Sequence, residues 1–112
     1  MVYGRTKSEI VTISSGGTAS TSAEVDNMLL SGIVLPTMTG ANITFQWSKD
    51  NVTFVDVVET DGSATSYTAT DGDVVRVDPS GWAFAGQGWL KVISSSAEVA
   101  DRDITLLFRT SS

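Results

Sequence analysis

The side chains able to do chemistry in this chain are carboxylates placed at turns and aromatics gathered in one glycine-flanked loop. Asp50, Asp61, Asp71 with Asp73, Asp78, and Asp101 with Asp103 all sit where the local sequence turns. A calcium site draws several oxygens from one tight loop, as in a D-x-[DN]-x-[DN]-G run, and no stretch has that spacing. Asp and Asn are what hairpin turns select, because they tolerate left-handed backbone and bond their own main chain. Turn-making therefore accounts for these carboxylates. Histidine and cysteine are both absent. Their absence removes the commonest general base, the commonest metal ligand, thiolate sites and disulfides. A glycosidase pair of carboxylates needs only residue types that are present. Yet a chain of 112 residues has little room for a deep cleft of about 300 Å3 or more beside its only core. The expectation is no enzyme, no cofactor and no metal.

Two groups of residues suit contact with a partner. Trp82 and Phe84 lie in the run WAFAGQGW, residues 82–89. They read either as a plug closing the end of a core or as an exposed contact patch. Tyr3, Arg5 and Lys7 lie in the aperiodic start MVYGRTKS. That segment reads either as a frayed terminus or as an arm that orders against a partner, since Tyr and Arg are enriched at interfaces. The candidate partner-binding residues are thus Tyr3, Arg5, Lys7, Trp82 and Phe84. Trp89 opens an alternating run and reads as core, as does Trp47 beside Phe45.

The elements that must position these residues are strands. Ile43, Phe45 and Trp47 alternate with Thr44, Gln46 and Ser48, the period of a half-buried strand. Lys49-Asp50-Asn51 offers a turn, and Val52 to Val58 reads as the returning strand of a hairpin. Its alternation slips at Phe54 and Val55, which predicts a bulge there. Further strands are read at Glu9–Ile13, near 20–26, near 28–35, over Thr65–Thr70, Asp73–Asp78, Trp89–Ser94 and Ile104–Arg109. Asp71-Gly72 is a hairpin signal. Residues 19–31 also carry helical spacing at Val25, Met28 and Leu29, but Gly32 and Pro36 would cut a helix short, so two strands are preferred. Eight to nine short strands with turns between them predict an all-β, antiparallel two-sheet sandwich of jelly-roll type, with an immunoglobulin-like sandwich as second choice. The domain reading is an arm over 1–8 and one sandwich over 9–110. A chain of 11.8 kDa buries roughly 65% of its unfolded surface, enough for one core.

Net charge is −6 and the pI is near 4.3. That balance argues against nucleic acid, whose phosphates are met by Lys and Arg. Apolar runs fall well short of a membrane span, and Arg5 and Lys7 are followed by no apolar run, so a signal peptide is not expected.

Several pieces in order resemble the small jelly-roll decoration proteins, also called cement or staple proteins, of tailed bacteriophage capsids. They are SGIVLP (31–36), TGANITFQWSKDNVTFVDV (39–57), the DG turn with SYT (61–68), VRVDPSGWAFAGQGWLKV (75–92) and ADRDITLLFR (100–109). One departure is Lys49-Asp50-Asn51, where similar sequences carry Asp-Gly after the Ser of the turn. The resemblance implies a protein bound to the outer shell of a virion after assembly in the host cytoplasm. It also implies the major capsid protein as partner, a homodimer, and no catalytic motif. The rival reading is a carbohydrate- or receptor-binding module, because FQWSKDNVTFVDV is similar to a strand–turn–strand of discoidin-like modules and exposed aromatics suit sugar stacking.

Overall fold

The computed structural model describes residues 5–69, 72, 74–78, 81–82 and 87–110. Nine strands form two antiparallel sheets: β1 (Thr6–Ile13), β2 (Ala23–Glu24), β3 (Leu29–Val34), β4 (Asn42–Ser48), β5 (Val55–Asp56), β6 (Tyr67–Thr68), β7 (Val74–Arg76), β8 (Trp89–Ser94) and β9 (Arg102–Arg109). The first sheet has the order β1-β9-β3-β7 and the second β2-β8-β4-β5, with β6 also on β4. β6 meets β4 at Asn42 and Ile43, and β5 meets it at Gln46 and Trp47.

Alternation decides which residues face inward. Val11 and Ile13 of β1, Leu30 and Ile33 of β3, and Ile104, Leu106 and Phe108 of β9 are buried from the first sheet. Ile43 and Phe45 of β4 and Leu90 and Val92 of β8 meet them from the second. The two-sheet antiparallel sandwich read from the sequence is the fold observed, and no helix among the described residues is long and apolar enough to cross a membrane.

Several expectations are corrected. β1 begins at Thr6, not Glu9, because β9 runs on to Arg109 and gives Thr6, Lys7 and Ser8 partners in Arg109, Phe108 and Leu107. Residues 6–8 therefore belong to the sandwich, not to an arm. The strand expected over Val52–Val58 shrinks to Val55–Asp56. Asp50 Oδ1 accepts from the amides of Val52 (2.9 Å) and Thr53 (3.0 Å), and Asn51 sits at φ 61°. Those bonds curl 49–54 into a loop and leave Val52 80% exposed. The slip at 54–55 is thus the end of that loop; the register shift in the sheets lies in β3, between Leu30 and Gly32. Asp71-Gly72 does not close a hairpin, since β6 and β7 belong to different sheets. Asp71 lies outside the described residues, and Gly72, at φ 71°, donates its amide to Leu35 O. Trp89 is not core: Leu90, Val92 and Ser94 are the buried face of β8, and Trp89, Lys91 and Ile93 line the half-buried outer face. Trp47 is half-buried at the margin of the core, with its indole Nε1 donating to Gln87 O at 2.9 Å.

The ambiguous stretch 19–31 is two strands, as preferred. Val25 to Met28 forms a tight turn with Asp26 and Asn27 both left-handed (φ 56° and 58°), conformations these two residue types tolerate. The amide of Met28 donates to Val25 O at 3.2 Å.

Candidate contact surfaces

Trp82 follows β7 with 3-10 backbone at Gly81 and Trp82, and is 3% exposed. Its ring meets Phe45 edge-on, with centroids 4.9 Å apart and planes at 74°. Phe45 in turn meets Tyr67 edge-on at 5.9 Å. Trp82 is therefore the plug of its two readings, closing the sandwich between β4 and β6. A hollow of about 360 Å3 opens beside it, lined by Val57, Glu59, Thr65 and Tyr67 among others. Phe84 and Tyr3 lie outside the described residues.

Arg5 and Lys7 are not brought together with Trp82. Arg5 is exposed and held through its backbone: its amide donates to Thr110 Oγ1 at 2.9 Å and its carbonyl accepts from the Thr110 amide at 2.9 Å. Lys7 is committed inside the molecule. Its Nζ donates to Glu24 O at 2.7 Å, pairs with Glu9 at 3.7 Å and lies 5.2 Å from the Phe108 ring centroid. These contacts tie β1 to β2 across the edge of the sandwich.

The turn carboxylates do turn work. Asp50 is held at about 2, below the ordinary carboxylate range, by the Thr53 and Val52 amides and the Ser48 hydroxyl. Asp61 is also lowered, by the Ser63 hydroxyl and amide. Asp101 accepts from the Ser15 amide and Asp103 from Thr12 Oγ1. Among the described residues no three His, Cys, Asp or Glu side chains gather as metal ligands would.

Glu98 is the carboxylate that sequence reasoning missed. It is buried, and its two oxygens accept from the Thr39 amide (2.8 Å), the Gly40 amide (2.9 Å), Ser94 Oγ (2.7 Å) and Arg102 Nε (2.9 Å). Its own amide donates to Gly17 O, and its carbonyl accepts from the Gly16 amide. Three loops, β1–β2, β3–β4 and β8–β9, are thereby pinned at one end of the sandwich. Gly40 is glycine because a Cβ there would collide with Ser94 Oγ, one of the four donors. Burial pushes the Glu98 carboxyl upward, but the Thr39 and Gly40 amides, Ser94 and Arg102 outweigh it and hold the group down at about 2. A sequence signal is absent: SSSAEVADRD has no periodicity, and nothing local marks Glu98 as buried.

The outer face of the first sheet carries exposed apolar side chains. Register places Ile10, Thr105, Val34 and Val74 in one row across the four strands, and Ser8, Leu107, Gly32 and Arg76 in the next. Ile10 is 64% and Val74 56% exposed. Leu107 lies over Gly32, where an added Cβ would stand 3.2 Å from Leu107 Cδ1. A shallow hollow of about 440 Å3 is lined by Thr6, Ser8, Ser31 and Leu107 with Lys7 and Phe108. The signal for this face was present in the sequence. Ile10-Val11, Val74-Val75 and Leu106-Leu107 put apolar residues on both parities of their strands, more than one buried face requires.

Comparison with protein families, with curated proteins and with solved structures returned no match.

Proposed function

We propose that this chain is a decoration protein of a tailed-phage capsid, a homodimer that binds the outside of the shell and bridges neighbouring major capsid subunits. The observation that carries the reading is the strand order. With β1-β9-β3-β7 facing β2-β8-β4-β5, the chain changes sheet at every step except β4 to β5 and β5 to β6, and its first and last strands are neighbours. We read that order as a jelly roll, the fold that the resemblance over residues 10–109 implies. Fold alone selects no function; the ordered sequence pieces supply the rest.

The physics of the role suits the molecule. Packaged DNA presses a shell outward, and a rigid sandwich laid across a subunit boundary resists separation. Each copy needs only a modest contact, because many copies act in parallel and a dimer gains effective concentration from its first foothold. Tyr3, Arg5 and Phe84 remain the proposed shell contacts. Trp82 drops out because it is buried, and Lys7 because it is engaged within the chain. A sugar-binding module would need an exposed aromatic platform; with Trp82 buried and Trp89 half-buried, that reading loses its main support.

Mass spectrometry of purified particles tests the proposal. The chain should be present at near-stoichiometric amounts, and the purified protein should rebind shells that lack it. Removing residues 1–4, which precede β1, should weaken rebinding at least tenfold if the N-terminal contact holds. Absence of the chain from purified particles would overturn the reading.

A further inference from the structure

We infer that the outer face of the first sheet is a homotypic interface, on which two copies pack face to face with their β9 strands antiparallel. The inference deepens the homodimer part of the proposed function and does not depend on a capsid as partner.

The charges along β9 set the orientation. Asp103, Thr105, Leu107 and Arg109 alternate with buried Ile104, Leu106 and Phe108, so all four point outward. Asp103 and Arg109 are exposed and about 20 Å apart along the strand at ~3.4 Å per residue, too far to meet within one copy. Among the described residues neither forms an ion pair. One end of the face is thus basic, with Arg109 and, one row in, Arg76. The other is acidic, with Asp103 and, just beyond β9, Asp101.

A two-fold axis lying in the interface, across the strands at the level of Leu106, reverses one copy onto the other. Asp103 and Arg109 are equally spaced about Leu106. The operation therefore sets Arg109 of each copy against Asp103 of the other and forms both pairs at once. It also sets Ile10, which protrudes, over the other copy's hollow beside Ser8 and Leu107, and the Arg76 stem along the other copy's Val74. One operation satisfies the charges, the knob and the hollow, the self-complementarity that isologous dimers require. A second copy is thus the occupant that the face fits.

Size sets the expected strength. Four strands at ~4.8 Å and about seven residues at ~3.4 Å give a face of about 19 by 24 Å, so the dimer buries on the order of 1,000 Å2 in total. That lies at the low end of specific interfaces. The dimer should dissociate at micromolar concentrations and weaken as salt screens its rim charges.

A charge swap tests this without disturbing the core, since both residues are exposed. Sedimentation velocity of the full chain should show a concentration-dependent dimer. Arg109→Asp and Asp103→Arg should each raise the dissociation constant at least tenfold by placing like charges together. Mixing the two single variants should restore dimers. The introduced aspartate of one chain then faces the introduced arginine of the other, while the unaltered Asp103 and Arg109 pair across the opposite end. The double variant should also dimerise alone. A chain that stays monomeric up to about 1 mM, a dimer indifferent to both single variants, or variants that do not rescue each other on mixing would each overturn the inference. None of those outcomes touches shell binding, which the particle experiment reads separately.

Discussion

A carboxylate deprived of water must be held by donors or give up its charge. Glu98 is held by four. Its folded-state value of about 2 against an ordinary 4.5 fixes the sign of its pH effect. Between those values the unfolded chain binds more protons than the folded one, so acid favours unfolding. The contribution is fully present above about pH 4.5 and is lost as pH falls toward 2; that interval corresponds to on the order of 3 kcal/mol. Glu98→Gln keeps the shape but turns an NH2 group toward donors and leaves Arg102 half-buried without its counter-charge. The variant should lose about 2–4 kcal/mol at neutral pH by urea unfolding. It should also show a flatter acid limb, since the group that titrated is gone. None of this was legible in the sequence. Burial of a loop Glu depends on three loops converging, and contacts spanning about sixty residues leave no local mark.

At the scale of elements, legibility followed how far each strand's own pattern decides its surroundings. β4 was plain because Ile43, Phe45 and Trp47 share one parity against polar neighbours. The phase of β8 was misread because Trp89-Leu90-Lys91-Val92-Ile93 is apolar on both parities. Lys91 was the usable signal: a charged side chain marks the outer face, and Trp89 shares its parity. Val52–Phe54 has strand composition, yet one carboxylate taking two amides prevailed over the ladder, a competition that Asp wins locally. The two strands around Asp26-Asn27 were legible because Gly32 and Pro36 would cut a helix short, while the left-handed turn between them was not read. Trp82 was the open case. With its ring buried against Phe45, Trp82→Ala should cost about 3–5 kcal/mol in thermal or urea unfolding, in the range of large-to-small core substitutions. An exposed contact residue would change stability by less than about 0.5 kcal/mol, so the measurement separates the two roles cleanly.

For the whole molecule, the sandwich was foreseen while its seam was not. Residues 1–8 read as separable in the sequence, but β1 and β9 pair along their full length and stitch the first residues of the domain to the last. Polar Thr6, Lys7 and Ser8 carry no alternation of their own; only β9, about one hundred residues away, makes them a strand. Arg5 and Thr110, joined by two backbone-anchored hydrogen bonds, mark where that seam closes. Both ends of the domain therefore leave from one corner. A circular permutant joined by a short Gly-Ser linker there, and opened in the exposed loop at 49–53, should fold with its transition midpoint within a few degrees of the parent. That corner is also the Arg109 end of the face inferred to dimerise. A folded cargo fused directly after Thr110 would stand over the interface as a steric cap, so the chain offers a display site whose occupancy and self-association exclude each other unless a linker carries the cargo clear.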